Sequence, residues 1–487
     1  MRLIALTSSE SVRLNVQGSE REGFVHLGSL LNPAIRTILV KGDPGTGKTL
    51  LALELLKRHG GGVYFSSRVS QEGIFDQYPE AKALLNEGRI RVVKSKKTGA
   101  KFEDIRLSTA SLAIESILDL MQKSDSPLLI LDSWDTIAKE LDSVERMRTE
   151  KARLTIADAN KGSIVFVSEE PTSANTDYAV DAIVTLKDEL FEQRRVRRME
   201  WNKLRGSEIP QKTYLFSLAG SRFNVFQPIG ISPPKSYKAG EWSPIRNTSE
   251  SYSTGSQDLD ALTGGGMKKG ARILLELGKY VGADWHLPLT TCLSCNFLAN
   301  GGCSMSIPTS GLVPQEIKES RLRYLPAETV ESSLRIGHFG EIQSADPCFL
   351  ELNPNSEPES FELFWKAAGE IRNIAHKNNS GSSMAGRPCL MMLGIDRIES
   401  VFGHEAVRSD YLRSATMTAS YEDVAIFIAK QSTKGKEELA DLVDLYLKLD
   451  EINGALTIYS LKPPSRIYHM EYDFTRGYPH VKLTPVV

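Results

Sequence analysis

Apolar runs in the first half of the chain alternate between two periods. RTILVKG (36–42) is a short β-branched run, and LLALELLKRHGG (50–61) is a strong helix former that ends on glycines. GGVYFSS (61–67) predicts a second strand and DIRLSTASLAIESILDLMQ (104–122) a helix. The unbroken run in SPLLILDSWDT (126–136) and the run in GSIVFVSEEP (162–171) predict two buried strands. Strands alternating with helices imply a mostly parallel sheet whose ligands lie at the carboxyl ends of its strands.

The turn between the first strand and its helix carries the chemistry. Residues 42–49 read Gly42, Asp43, Pro44, Gly45, Thr46, Gly47, Lys48, Thr49, a phosphate-loop pattern with strand and helix on the required sides. Glycines there let backbone N–H groups curl around phosphates, and the helix N-terminus adds partial positive charge. Lys48 is expected to reach the β and γ phosphates of ATP, and the Thr49 hydroxyl to take a Mg²⁺ position. A second metal-holding acid is expected at the end of a buried strand, and Asp132 fills that role, with Asp135 assigned to a helix start. Glu169 and Glu170, at the end of the 162–171 run, are candidate catalytic acids.

A second copy of the pattern follows. STGSQDLDALTGGGMKKGARILLELG (253–278) opens it, RPCLMMLGIDRIES (387–400) with Asp396 matches the Asp132 segment, and EDVAIFIAKQ and LVDLYLKLDE match the last strands of the first copy. Its loop, GKYVGAD, places Gly282 opposite Gly47, Ala283 opposite Lys48 and Asp284 opposite Thr49. Losing the ammonium removes a charge-assisted contact worth about 1.5–3 kcal/mol, and a carboxylate adds repulsion. The second site is expected not to bind ATP.

The order of these pieces resembles the RecA family and, within it, the KaiC-like branch. RRVRRMEWNKLRGSEIPQKTYLFSL (194–218) carries the likeness, with a basic run, the element Lys203, Leu204, Arg205, Gly206, and a closing strand. The resemblance implies that Lys203 and Arg205 lie at a subunit boundary and reach the γ-phosphate held by a neighbour, so it implies a homo-oligomer, with a hexamer as the form considered. It also implies glutamates just after the second strand, where this chain has Ser66, Ser67 and Arg68. Slow hydrolysis is expected, with Glu72, Glu169 or Glu170 as substitutes. Two tandem units, one sound phosphate loop and an arginine-rich segment also resemble the archaeal GvpD proteins. That resemblance implies a nucleotide-controlled regulator of gas-vesicle gene expression that acts on a protein partner such as a transcriptional activator.

Length and composition refine this picture. A chain of 487 residues is too long for one core. Domains are expected at 1–228 and 250–487, joined by a proline-marked linker, with an insertion at about 304–385 whose tip near 378–387 is mobile. The fold class is α/β, two tandem RecA-like domains with mainly parallel sheets. A formal net charge of -2 offers no whole-chain attraction to nucleic acid or membrane. Nucleic-acid binding stays open as the alternative, a DNA-dependent recombinase-like or motor ATPase, and a KaiC-like autokinase is a third reading. No segment approaches the ~20 apolar residues of a spanning helix, and no signal peptide is read, so a cytoplasmic location is expected. The five cysteines, Cys292, Cys295, Cys303, Cys348 and Cys389, are read as reduced core thiols.

Overall fold

The computed structural model describes residues 27–66, 78, 82, 90–94, 128–136, 162–169, 177–178, 180–230, 237–340, 346–373, 386–405, 408, 418 and 421–487, with only the backbone of 66 and 90–94. Ser67, Arg68, Glu72, Glu170 and the 378–385 part of the expected mobile tip lie outside the described residues.

The first copy is built on strands β1 (Thr37–Gly42), β2 (Gly62–Ser66), β3 (Ile90–Lys94), β4 (Leu128–Asp132), β5 (Ser163–Ser168), β6 (Ala182–Phe191), β7 (Arg194–Leu204), β8 (Thr213–Ser217) and β9 (Asn224–Val225). They form one sheet in the order β3-β2-β4-β5-β1-β6-β7-β8-β9. The members up to β6 run parallel, and β7 to β9 extend the sheet antiparallel. β1 is central and buried from Thr37 to Lys41, as a strand covered on both faces must be. Helix α1 (Lys48–His59) buries Leu51, Ala52, Leu55 and Leu56 and ends on Gly60 in the left-handed region, bonded back to Leu56 and Lys57.

The second copy repeats the design with β12 (Arg272–Leu277) at its centre, after the short strands β10 (Ser251–Tyr252) and β11 (Met267–Lys268). Its other strands are β13 (Cys303–Ile307), β14 (Leu334–Phe339), β15 (Phe349–Leu352), β16 (Cys389–Gly394), β17 (Val424–Lys430), β18 (Leu445–Ile452), β19 (Ala455–Lys462), β20 (Tyr468–Asp473) and β21 (His480–Pro485). The order β15-β14-β13-β16-β17-β12-β18-β19-β20-β21 matches that of the first sheet, with β15 added at one edge. Helix α2 (Ala283–Ala299) follows β12 as α1 follows β1. The 304–385 region holds regular elements, with helices at Pro314–Leu322, Ala327–Ser333 and Glu357–Arg372 around β14 and β15. None of the helices among the described residues is long and apolar enough to cross a membrane.

The linker lacks hydrophobic periodicity, yet it is anchored: Trp242 is buried in the second core, donates its backbone N–H to Tyr324 O at 2.9 Å and stacks near Tyr478. Cys292 and Cys295 are buried on α2, where burial pushes both thiols up, Cys295 to about 12, which suits core thiols rather than ligands.

The copies also pack on each other. Val196, Leu215 and Phe226 of the first share one apolar cluster with Ile452, Ala455, Tyr459, Ile467 and Val486 of the second. Beside it His469 stacks on Phe226 with ring centroids 4.1 Å apart, and burial pushes its imidazole down to about 4. An unfolded histidine titrates near about 6.5. The unfolded chain therefore binds the extra proton, and the stability from neutral His469 is complete above pH ~6.5 and lost as pH falls towards ~4. His286 acts in the same sense, while Asp423, raised to about 6 by burial, acts against it. Urea unfolding of wild type and His469→Phe at both ends of this window isolates the term. The phenylalanine variant, which keeps the stack, should lose about 1–3 kcal/mol less than wild type on acidification; equal losses would show that His469 does not carry this sensitivity.

Candidate functional site

The phosphate loop has the cradle its glycines predict. Gly45 and Gly47 take φ of 82° and 101°, in the left-handed region that favours glycine. A Cβ on Gly42 would lie 2.5 Å from Leu186 O, and one on Gly47 would lie 2.9 Å from the Leu218 side chain, so neither position admits a larger residue without movement. Thr46 Oγ1 donates to Asp43 O at 2.8 Å and closes the turn. Lys48 folds back over the loop, with Nζ 2.6 Å from Gly42 O and 2.8 Å from Asp43 O. An ammonium held by backbone carbonyls is partly desolvated and stands ready for a stronger anionic partner.

Strand order brings the acidic residues to the same end of the sheet. Thr49 Oγ1 donates to Asp132 Oδ2 at 2.7 Å, and the Tyr64 hydroxyl donates to the same oxygen at 2.6 Å. Burial, and then the charge of Asp132, raises the Tyr64 phenol well above its usual value, so it remains a donor. Asp135 stands at the start of the short helical turn after β4, as expected. It is buried and accepts from Ser168 Oγ at 2.8 Å and from the Glu169 backbone N–H at 2.5 Å. Its carboxylate thus ties this helix start to the end of β5, at Ser168 and Glu169.

The basic strand divides its cations by parity. Met199 and Trp201 are core residues beside α1, and in β7 the side chains of Arg195 and Arg197 share their face. Arg197 is buried, with Nη1 3.1 Å from Gly45 O and 3.5 Å from Asp188 Oδ2. Burial lowers its guanidinium from the usual arginine value, with Asp188 opposing. Sequence reading missed Arg197 because it treated the run as one patch; period-two alternation against Met199 and Trp201 was the available signal. Lys203 and Arg205 sit elsewhere. Lys203 pairs across the ladder with Ile183, and Ile183 with Leu39, so it lies towards the start of β1 rather than at Gly42. Lys203 Nζ donates to Asp177 O at 3.1 Å and Tyr178 O at 3.3 Å, while Arg205, 62% exposed in its side chain, bridges to Asp181 at 2.9 Å. Their own chain's Lys48 is not among these partners.

The second copy has the frame without the contents. β12 and β1 are both six residues long, and their helices start at Ala283 and Lys48, with Gly282 and Gly47 as N-caps. Gly282 has φ of −78°, so the left-handed turn of Gly47 is absent, and Asp284 in the first turn of α2 supplies its own anion to the helix dipole. The expected match of Asp396 to Asp132 is wrong by register. Asp132 pairs with Val167, which pairs with Val40, the fourth residue of β1. Leu275, the fourth of β12, pairs with Ile428, and Ile428 with Gly394. Gly394 thus holds the Asp132 position, and a Cβ there would lie 2.6 Å from the backbone of Pro308 and Thr309. No carboxylate fits. By the same ladder Lys430 stands where Glu169 stands; it lies 3.4 Å from Asp396 Oδ2 and donates to Ser310 O. His286, pushed down to about 4 mainly by burial, fills the rest between Gly282 O and Thr309.

Comparison with known proteins agrees with this geometry. Residues 31–202 match the family described as "GvpD gas vesicle protein, P-loop domain". The chain is 26% identical to Protein GvpD2 of Halobacterium salinarum over 93% of its own length and 94% of that protein, and 23% identical to Protein GvpD1 of the same organism over 94% and 95%. It is 25% identical to the circadian clock oscillator protein KaiC of a Picosynechococcus over 55% of the chain and 53% of that protein. Geometry and likeness together make this a P-loop chain of two tandem KaiC-like domains, similar to the GvpD proteins along almost its entire length.

Proposed function

We propose that the chain is an ATP-binding regulator in which nucleotide at the first copy sets oligomer or partner interactions. The observation that carries the reading is the contrast between the sites: a complete phosphate cradle with an adjacent Thr49–Asp132 pair, and a second copy closed by Gly394, Lys430 and His286. The residues fit Mg²⁺–ATP. Lys48 would exchange the Gly42 and Asp43 carbonyls for phosphate oxygens, the loop N–H groups would cradle the polyphosphate, and Thr49 and Asp132 would hold the cation. Bound Mg²⁺ supplies charge neutralisation between the phosphates. Tyr64 orients Asp132, and Asp135 keeps Glu169 at the mouth of the site. The name of the matching family supports a link to gas vesicles, and on that link gas-vesicle gene expression is proposed as the regulated process and a transcriptional activator as the partner class.

Lys203 and Arg205 are proposed to act on the triphosphate of a neighbouring copy. Strand rise puts them roughly 10–15 Å along the sheet from their own loop, out of reach of its γ-phosphate. Contribution from a neighbour ties phosphate state to assembly, because a γ-phosphate can hold such cations and a diphosphate cannot.

Three outcomes test this reading. Titration with a fluorescent ATP analogue should show Lys48→Ala abolishing binding by the whole chain; retained binding at wild-type affinity would place the nucleotide elsewhere. Hydrolysis should be slow, should fall on Glu169→Gln and should rise on Ser67→Glu. A fast wild-type rate, above all one stimulated by single-stranded DNA, would favour the motor reading instead. Mixing Lys48→Ala chains with Lys203→Ala/Arg205→Ala chains should regenerate some ATP-dependent assembly. Co-assembly of the two variants without recovery would remove the neighbour role.

A further inference from the structure

Strands β7 and β8 form a wall with the phosphate loop on one side and the second copy on the other. We propose that nucleotide occupancy of the first copy is transmitted through this wall to the docking of the second copy. The proposal rests on the nucleotide reading of the first site and adds the route by which that site controls the rest of the chain.

On the loop side Arg197 and Leu218 make contact. Arg197 Nη1 donates to Gly45 O at 3.1 Å, and its Nε meets no hydrogen-bond partner among the described residues, so the guanidinium can be redrawn by a new anion. Leu218, just after β8, lies against Gly47 so closely that a Cβ there would come within 2.9 Å of it. On the far side the contacts are denser. Arg194 donates to Ser465 O at 2.8 Å and Ser460 O at 3.0 Å, and its guanidinium lies 5.2 Å from the Tyr459 ring centroid. Glu192, at the β6–β7 turn, bridges to Lys448 at 3.0 Å and accepts from the Tyr459 hydroxyl at 3.0 Å. Leu218 touches both sides, since its backbone N–H donates to Val487 O at 3.1 Å.

Alternation makes these contacts interdependent. Arg197 and Arg194 leave opposite faces of one strand, and that strand is paired with β6 from Arg194 to Leu204 and with β8 from Arg197 to Glu200. It can shift as a unit more readily than it can bend. Phosphate entry requires Lys48 to leave the Gly42 and Asp43 carbonyls, which changes the loop that Arg197 and Leu218 touch. Any displacement of β7 is then felt at Ser460, Ser465 and Tyr459.

Hydrogen exchange on the full chain, with and without Mg²⁺–ATP, tests the route while a titration on the same samples reports binding. In wild type, exchange of the 446–465 backbone should change about fivefold or more on ATP addition, the lower range of ordinary allosteric coupling. Lys48→Ala should lose both binding and change. Arg194→Met, and separately Glu192→Gln as a mild variant at a more exposed position, should bind ATP and lose most of the change. If wild type binds ATP and residues 446–465 do not respond, or if both variants respond in full, the route is wrong. Failure of wild type to bind ATP would instead sink the nucleotide reading beneath it.

Discussion

The constraint on which the structure depends is the carboxyl end of β1, where a strand must turn within a few residues into a helix around an anion. That turn needs backbone N–H groups pointing inward and left-handed backbone at Gly45 and Gly47, and it leaves no room for side chains at Gly42 and Gly47. The remaining positions follow from it. β4 must bring Asp132 within reach of Thr49, β5 must carry Glu169 past the same edge, and β7 must accept an arginine in its core face beside Gly45.

The second copy shows what remains when this constraint is lifted. Sheet order and helix placement persist because they bury apolar surface, which is indifferent to phosphate. The loop relaxes at Gly282, the position that Asp132 holds in the first copy shrinks to Gly394 under Pro308, and Lys430 with Asp396 supplies within the chain the opposite charges that a metal and phosphate would bring. A closed second site costs the fold nothing and frees this copy to act as a docking body. Its strands β18 to β21 carry the surface that receives β7 and β8.

Much of this was legible in the sequence. The phosphate loop, the strands β1, β2, β4 and β5, and the one-to-one match of Ala283 to Lys48 follow from period and spacing alone. Asp132 was legible because an apolar run ended on it. The Asp396 match failed because both segments end in a similar acidic pattern, and only the ladder through Ile428 shows a two-residue offset. Tyr64, and the tie from Asp135 to β5, were not legible since the partners, Asp132 and Ser168, are far along the chain and become neighbours only through strand order. The division of labour among Arg194, Arg197, Lys203 and Arg205 was hidden for a similar reason. A charge run reads as one surface, whereas a strand sends alternate members to opposite faces.

The account stands most directly on the claim that one chain holds one competent phosphate loop. Calorimetric titration of the full chain with Mg²⁺–ATP measures this as a stoichiometry. One nucleotide per chain is the predicted result. Two per chain would contradict it, because the site closed by Gly394, Asp284 and Lys430 would then have to open and bind.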